Sequence, residues 1–235
     1  MFRGDDAELD NLMWRALASA RDLGHPRVGS EHLLLALTLS GSRVADVLAW
    51  HGGTGAAIKE AVCAAAPSGA GVTADSVLLA VLGIDLDRLL NIPGGASLDH
   101  PAVREPVFPL GLRKARRQCD GIRPPLGVDA QAVYEASLRL ALARREHRHR
   151  CEHLALTLVT LDPGVQWVLN EISVDSQTLR ADLAIEFPSP EQNPLVRAER
   201  QLGHRFRYQD IVRRYQRVTG RRPADSSALA GFIAG

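Results

Sequence analysis

Residues 147–153 carry three histidines and one cysteine at alternate positions: His147, His149, Cys151 and His153. Imidazole and thiolate groups are the usual ligands of zinc in proteins, so the run invites comparison with a metal site. Alternate spacing aligns side chains on a strand, but this run crosses a loop into the start of a helix, where side chains diverge. We therefore expect one core histidine (His153), one capping substitute (Cys151), two solvated loop residues (His147 and His149), and no metal or other cofactor.

The remaining residues show no catalytic spacing. The sequence contains no His-Glu-x-x-His pair, and its serine, histidine and aspartate residues form no recognisable nucleophile motif. It also lacks the Gly-x-x-x-x-Gly-Lys-Ser/Thr loop whose backbone, lysine and hydroxyl bind a nucleotide. We expect that the protein is not an enzyme and does not hydrolyse ATP.

The segment Glu-His-Leu-x-Leu-x-Leu occurs twice, beginning at Glu31 and at Glu152. Subtracting 31 from 152 gives an offset of 121, and this single offset also pairs apolar residues before and after the motif without a gap. It places His32 on His153. A match that is mostly apolar and keeps one register indicates a supersecondary unit used twice.

Helical periodicity dominates both copies, and neither shows convincing strand alternation. In the first copy, Asp5 and Asp6 precede the first helix as cap and favourable charge, and Ser30 is the expected cap of the second. The predicted helices of the first copy are residues 7–23, a helix after residue 30, 43–50 and 55–66. Those of the second copy are residues 129–146, a helix from 151, one after 163 and one from 175. The predicted fold class is all-α, with four helices in each copy.

The two copies divide the chain into four parts. The first repeat covers residues 2–66, an insert covers 67–125, the second and more degenerate repeat covers 126–186, and a linker with a helical extension covers 187–235. Within the insert we predict a helix over residues 73–90, capped by Thr73 or Asp75, and a basic helix over 110–119. The extension spaces five apolar residues as on an amphipathic helix, and we expect these to dock on the rest of the protein: Tyr208, Ile211, Val212, Tyr215 and Val218.

Composition narrows the class of protein. A chain of 235 residues with 46% apolar residues can bury a substantial core, and its formal net charge of +1 gives no overall attraction for nucleic acid. The three cysteines are widely spaced, which fits a reducing cytoplasm better than a disulfide framework. The acidic start is unlike a signal peptide and no apolar run reaches membrane length, so we expect a cytoplasmic protein.

At residues 23–37 the sequence LGHPRVGSEHLLLAL resembles the Clp N-terminal repeat, whose usual signature is LGHxxxGTEHLLLAL. This double repeat forms the N-domain of ClpA- and ClpC-type AAA+ unfoldases. The second copy, REHRHRCEHLALTL, is degenerate: Arg145 and Glu146 replace the usual Gly-His, and Cys151 replaces the capping threonine. The resemblance covers residues 2–186, with an insert longer than in the classical unfoldases, and nothing in residues 187–235 matches it.

The resemblance implies a pseudo-twofold, all-α domain of two four-helix repeats, here without the ATPase module. In the family this domain is not catalytic: it receives adaptor proteins and substrates, in some bacteria it binds phosphorylated arginine, and cyclic-peptide antibiotics dock on it. The leading hypothesis is a Clp N-domain-like binding protein for peptides, degrons or cyclic-peptide antibiotics, acting as an adaptor or a sequestering decoy of a ClpC-type unfoldase. The alternative is a regulatory subunit of the ClpC/ClpP machinery itself.

By resemblance, five residues belong to the ligand-binding region. Glu31 and Glu152 match the acid that grips a guanidinium, although the helix dipole alone favours a carboxylate there. Asp6 stands where the family has a phosphate-facing hydroxyl, with Gly127 in the second copy, so a phosphate should be disfavoured. Phe2 and Leu126 precede their repeats near the family's hydrophobic groove, and each alone also suits a staple against the first helical turn.

Two arginine-rich stretches keep a nucleic-acid-associated regulator as a third and more distant hypothesis. The first consists of Arg113, Lys114, Arg116 and Arg117. The second consists of Arg213, Arg214, Arg217, Arg221 and Arg222. Charge runs on surface helices are mostly solvated faces, and the near-zero net charge argues against a phosphate-binding surface. We expect no membrane partner.

Overall fold

The architecture is described from a computed structural model of the chain, which describes residues 2–66, 68–85, 123–189 and 208–234. This part of the chain contains eleven α-helices and, besides two isolated bridges, no β-strand, so it is all-α as the sequence predicts. In chain order the helices are α1 (Ala7–Asp22), α2 (Ser30–Thr38), α3 (Arg43–Trp50), α4 (Gly55–Ala64), α5 (Ala70–Val81), α6 (Val128–Ala143), α7 (Cys151–Leu161), α8 (Pro163–Glu171), α9 (Ser176–Glu186), α10 (208–219) and α11 (Ser226–Ala234).

Short polar side chains begin several of these helices. Asp6 accepts a hydrogen bond from the backbone N–H of Glu8 at the start of α1, and Ser42, Thr54 and Asp175 cap α3, α4 and α9 in the same way. Each cap satisfies a backbone donor that the helix leaves unpaired. The predicted starts of these four helices are confirmed within one residue.

The expected cap of α2 is wrong. Gly29, not Ser30, precedes the first helical residue. The reason is a distant carboxylate: Asp129 accepts a hydrogen bond from the backbone N–H of Ser30 at 3.2 Å, and the Ser30 hydroxyl donates to Asp162 at 2.7 Å. A residue 99 positions away therefore does the capping that a local side chain does elsewhere.

The insert helix also differs from its predicted bounds. α5 begins at Ala70 rather than 73, because Gly69 turns the chain with a φ of +89°, and ends at Val81, because Gly83 takes a φ of +72°. Neither Thr73 nor Asp75 caps it, and Asp75 instead binds Arg221. The predicted basic helix over 110–119 lies outside the described residues.

The offset of 121 recurs in the helix bounds. α6 begins 121 residues after α1, α7 begins 121 after α2, α8 begins 120 after α3, and α9 begins 121 after α4. The backbone between the helices follows the same offset: Gly24 and Arg145 both adopt a positive φ (69° and 59°), and so do Gly52 and Ser173 (87° and 57°). A side chain is strained in this left-handed region, so Arg145 and Ser173 keep a backbone shape that glycine adopts freely in the first copy.

Backbone hydrogen bonds also cross between the two copies in matched pairs. The N–H of Asp6 donates to His149 O at 2.8 Å, and the N–H of Gly127 donates to Val28 O at 2.9 Å. Adding 121 to 6 gives 127, and adding 121 to 28 gives 149. The two bonds therefore join equivalent residues, with donor and acceptor taken from opposite copies. The segment before the first helix of each copy is therefore held by the loop before the second helix of the other copy.

The core lies around α2 and α7, which contact each other and are apolar on most faces. α1, α3 and α4 pack on α2, while α6, α9 and α11 pack on α7. The helix pair α5–α8 packs beside them, at a point where Gly164 lies against the backbone of Gly71. Burying these leucine- and valine-rich faces is the main stabilising contribution.

The C-terminal segment, residues 208–234, docks on this core as the amphipathic spacing predicts. Ile211 and Tyr215 are buried in it, and Tyr208, Val212 and Val218 pack against it. Leu229 and Ile233 of α11 are also fully buried. Among the described residues, no single helix is long and apolar enough to cross a membrane, although α2 and α3 taken together as a sharply bent pair meet that length and composition.

Candidate functional site

A cleft of 660 Å³ opens where α1, α3 and α7 begin, and the end of α9 closes one side. Its walls combine five carboxylates, three guanidinium groups, and a small apolar surface. The residues that line it are Asp6, Glu8, Gly41, Ser42, Arg43, Val44, Arg144, Glu146, Arg150, Cys151, Glu152, Glu186, Phe187 and Pro188. We call this set of residues the cleft. Its excess of carboxylates over guanidiniums disfavours anionic ligands.

Several charged side chains of the cleft wall form ion pairs. Arg150 pairs with Glu152 at 3.5 Å, and Arg43 pairs with Glu186 while its guanidinium lies 5.7 Å from the ring centre of Phe187. Asp6 contacts Arg148 at 3.2 Å, and the hydrogen bond from the backbone N–H of Glu8 is the main cause that lowers the pKa of Asp6. Asp6 therefore carries a full negative charge at neutral pH on the wall where a phosphate would have to lie.

Cys151 lines the cleft but is not a nucleophile. Burial, with the nearby carboxylates of Glu8, Glu152 and Asp6, raises the pKa of its thiol to about 12. The reactive form of cysteine is the thiolate, so this thiol stays protonated and unreactive at neutral pH. Nor does it cap α7 through its side chain, because Arg150 precedes the helix and Cys151 is its first residue.

A second polar assembly lies inside the protein, where α2, α5, α6 and α8 begin. It consists of Glu31, Asp75, Asp129 and Asp162 together with Arg221. We call the four acids the buried acidic cluster; Asp75 lies at its edge, with a side chain that is 30% exposed. Glu31 is 2% exposed, and its Oε2 has no hydrogen-bonding partner among the described residues. Asp162 is fully buried and accepts hydrogen bonds from Ser30 Oγ and the Val165 N–H.

The carboxylates of this cluster affect each other's protonation. Burial raises the pKa of Asp129 to about 6, and the negative charges of Glu31 and Asp162 add to that effect, while Arg221 opposes it. Burial also raises the pKa of Asp162 above its ordinary value. The helix N-termini and Arg221 compensate this charge only in part, so the cluster is a destabilising feature of the fold at high pH.

Two groups of residues have ligand atoms close enough to hold a metal: His25, Glu31 and His32, and their counterparts at the same offset, Glu146, Glu152 and His153. In each group the second-helix histidine already uses both ring nitrogens. His32 Nδ1 accepts from the Gly29 N–H at 3.0 Å, and its Nε2 lies 2.9 Å from His25 Nδ1.

The second group repeats this geometry. His153 Nδ1 accepts from the Arg150 N–H at 3.1 Å, and its Nε2 lies 3.0 Å from Glu146 Oε1. Since Nδ1 accepts from a backbone N–H, the neutral ring carries its proton on Nε2 in both histidines. Both rings are fully buried, as predicted for His153, and their common role is to fix the turn that starts the second helix of each copy.

The expectation for His149 is wrong. It is fully buried rather than solvated, with Nδ1 2.8 Å from Asp5 Oδ1 and Nε2 2.7 Å from Ser137 Oγ. Burial lowers the pKa of His149, and the neutral ring donates from Nδ1 to Asp5. The Ser137 hydroxyl lies between His149 Nε2 and the Tyr134 carbonyl oxygen, to which it donates at 2.8 Å. The order of groups matches that of a catalytic triad, but Ser137 lies within α6 with no exposed surface, so no substrate can reach its oxygen.

The five residues predicted from the resemblance fall in three places. Asp6 and Glu152 line the cleft. Glu31, although it matches Glu152 at the offset of 121, lies in the buried acidic cluster beneath Gly69. Phe2 and Leu126 do not line the cleft; Leu126 packs against the core and pairs with Val28 in an isolated bridge.

Four acids of the cleft and of the cluster were not singled out by sequence reasoning: Glu8, Glu186, Asp129 and Asp162. Arg221 was named only as part of the second arginine-rich stretch. The offset relates the two sets: Glu8 corresponds to Asp129, and Gly41, in the cleft wall, corresponds to Asp162. Applying the offset to every polar residue near a helix start would have found the two acids of the cluster. Nothing in the repeat points to Arg221, which lies outside both copies.

Comparison with known proteins does not identify either of these sites. No family model matches the chain, and no curated protein matches it.

Proposed function

We propose that this protein is a non-catalytic, Clp N-domain-like binding protein whose cleft binds peptides or cyclic peptides recognised by a ClpC-type unfoldase, as an adaptor or a sequestering decoy. The observation that carries the proposal is the cleft itself, which is open, formed by the starts of three helices, and lined by Asp6 and Glu152. It has the volume of a typical small-ligand site.

The double-repeat arrangement of the Clp N-domain, with its pseudo-twofold axis, is part of the same proposal. It is supported by the matching helix starts, the exchanged backbone bonds of Asp6 and Gly127, and the common geometry of His32 and His153. Three of the four pairs of helix starts follow the offset of 121 and the fourth follows 120, and the exchanged backbone bonds follow 121 although they were not used to find it. The free thiols of Cys63 and Cys151 fit the reducing cytoplasm that we propose as its location.

The chemistry of the cleft favours a ligand with apolar and cationic groups over a phosphorylated one. Phe187 and Pro188 offer apolar contact, while the carboxylates of Asp6 and Glu152 attract cations. A phosphate near Asp6 would meet a carboxylate of like charge. The protein should therefore bind hydrophobic or cyclic peptides better than free phosphoarginine.

Absence of catalysis is likewise proposed from chemistry. The thiol in the cleft has its pKa raised to about 12, and the serine of the Asp5–His149–Ser137 chain is fully buried. A group that cannot ionise or cannot meet a substrate does not supply nucleophilic catalysis.

Titration calorimetry tests the proposal with four proteins: the wild type, Asp6→Thr, Glu152→Gln, and Glu171→Gln as a control at an exposed site away from the cleft. The probes are a panel of hydrophobic cyclic peptides, an arginine-containing peptide, and phosphoarginine. We expect binding of at least one peptide probe, weakened by Glu152→Gln and unchanged by Glu171→Gln. Asp6→Thr should raise phosphoarginine affinity by about fivefold to tenfold, because it replaces a like charge with a hydroxyl donor. Tight phosphoarginine binding by the wild type with no response to any peptide contradicts the proposal.

A further inference from the structure

Arg221, from the C-terminal segment, inserts its guanidinium between the first turn of α5 and the buried acidic cluster. Its Nε and Nη2 both lie 2.8 Å from Asp75 Oδ2, and its side chain is 17% exposed. Its Nη1 lies so close to Gly71 that a Cβ there would be 2.4 Å away. With the guanidinium in this position, a side chain at residue 71 would collide with it. The guanidinium is therefore packed closely against α5, unlike that of a loose surface ion pair.

The acids around this guanidinium are more than one ion pair needs. Asp129 and Asp162 both interact electrostatically with Arg221, in addition to Asp75. Glu31 contributes a buried carboxylate oxygen with no partner among the described residues. Two N–H donors of the planar guanidinium fork bond to one oxygen of Asp75, which a single ammonium nitrogen cannot reproduce, while Asp129 and Asp162 act on Arg221 through their charges.

The residues around Arg221 bind the rest of its segment as well. The Tyr215 hydroxyl donates to Asp162 Oδ2 at 3.0 Å. The backbone N–H groups of Ala224 and Asp225 donate to Leu161 O and Thr160 O, at the end of α7, at 3.2 and 2.8 Å. A side chain in a pocket, a polar side-chain anchor before it and backbone bonds after it are the pattern of a bound peptide.

The offset of 121 relates this occupied position to the open cleft. The cleft residues Asp6, Glu8, Gly41 and Glu152 correspond to Gly127, Asp129, Asp162 and Glu31. In the cleft, these positions border open space. In the buried acidic cluster, α5 and Arg221 fill the corresponding space.

We propose that the buried acidic cluster is a guanidinium-binding site that the chain's own C-terminal segment occupies through Arg221. The segment acts as a built-in ligand, so that of the two positions related by the offset only the cleft is left open to an external molecule. The occupancy rests on the contacts of Arg221 and does not depend on what the cleft binds.

Chemical rescue in the full-length chain tests the site. Arg221→Ala removes the guanidinium, and Arg222→Ala is the matched control, because Arg222 is the next residue and is exposed. The melting temperature of each protein is measured with low-millimolar ethylguanidinium chloride or, at the same concentration, ethylammonium chloride. Ethylguanidinium supplies the missing fork as a separate molecule, whereas ethylammonium supplies only the charge.

We expect Arg221→Ala to lower the melting temperature by roughly 5–10 °C, since it leaves buried carboxylates without their cation. Ethylguanidinium should recover part of that loss and ethylammonium should not, and neither salt should raise the melting temperature of wild type or Arg222→Ala. Equal responses of Arg221→Ala to the two salts, or a melting temperature equal to that of wild type, overturn the proposal.

Should Arg221→Ala not fold, Arg221→Lys keeps the positive charge and most of the stem. Hydrogen exchange is then measured over residues 208–234. We expect faster exchange at Tyr215, Ala224 and Asp225 in Arg221→Lys than in Arg222→Lys, because a lysine cannot reproduce the fork. Equal exchange in the two variants contradicts the assignment.

Discussion

Asp129→Asn should stabilise the protein, and the gain should grow with pH. The substitution keeps a side-chain oxygen that can accept from the Ser30 N–H, as Asp129 does at 3.2 Å, but removes a negative charge from the buried acidic cluster. Burial, together with Glu31 and Asp162, raises the pKa of Asp129 from 3.8 to about 6 in the folded protein. The ionised form of this group therefore destabilises the folded wild type at neutral pH.

The sign and size of the effect follow from proton linkage. Between about pH 4 and pH 6 the folded state binds more protons at Asp129 than the unfolded state does, so stability from this group falls as pH rises through its folded pKa. A pKa raised from 3.8 to about 6 corresponds to roughly 3 kcal/mol once the group is fully ionised. Because Asp129 is partly buried and shares Arg221 with other acids, we expect a gain of about 1–3 kcal/mol for Asp129→Asn near pH 8.

Urea denaturation of wild type and Asp129→Asn at several pH values between about 4.5 and 8 measures this difference. Asp46→Asn, at an exposed position on α3, is the control for removing one negative charge from the surface. The free energy of unfolding of Asp129→Asn relative to wild type should rise across this range, while that of Asp46→Asn should stay nearly flat. A difference that does not change with pH, or a variant less stable than wild type near pH 8, refutes the account of the cluster.

Three further predictions concern the backbone and the docking of the C-terminal segment. Ser173→Gly should stabilise the protein by about 0.5–1 kcal/mol, because Ser173 has a φ of +57°. Gly52→Ser should destabilise it by a similar amount or more, and thermal unfolding of both variants measures the two effects. Gly164→Ala should cost about 1–3 kcal/mol in urea denaturation, since its Cβ would lie 2.7 Å from a backbone nitrogen of α5, whereas Gly231→Ala, with open space around it, should be close to neutral. Tyr215→Phe should cost about 1–3 kcal/mol in the same assay, because it removes the hydrogen bond to Asp162 Oδ2, and a neutral result would mean that the hydroxyl contact at 3.0 Å is unimportant.

The helices and the fold class could be predicted because their causes are local. Apolar spacing and capping residues such as Asp6 and Asp175 set where α1 and α9 begin, and a chain segment carries both signals in its own sequence. The docking of residues 208–219 was predictable for the same reason. Its apolar stripe has to be buried somewhere.

Other features depend on residues that are far apart in the chain. His149 looks like a loop residue until Asp5, 144 positions earlier, supplies an acceptor for its Nδ1–H. Ser30 looks like a cap until Asp129 takes over that role. Contacts of this kind satisfy buried polar groups across the fold, and no local pattern reports them.

The candidate site was predictable in part. Glu31 and Glu152 are equivalent by sequence, yet one is buried and the other lines an open cleft, because Glu31 lies against Gly69 at the start of α5. The difference comes from segments outside the two copies. Of the two arginine-rich stretches, residues 113–117 lie outside the described residues. In the second stretch, two of the arginines form ion pairs within the protein: Arg221 binds Asp75, and Arg214 pairs with Asp210.

An NMR titration of the isotopically labelled protein with a peptide that binds in calorimetry tests the central claim most directly, because it reports where the ligand lies. We predict that amide shifts concentrate at the starts of α1, α3 and α7, around Asp6, Arg43 and Glu152, and saturate at one ligand per chain. Shifts centred on Asp129, Tyr215 and residues 221–225, or saturation only at two ligands per chain, would contradict the claim that the cleft is the open site.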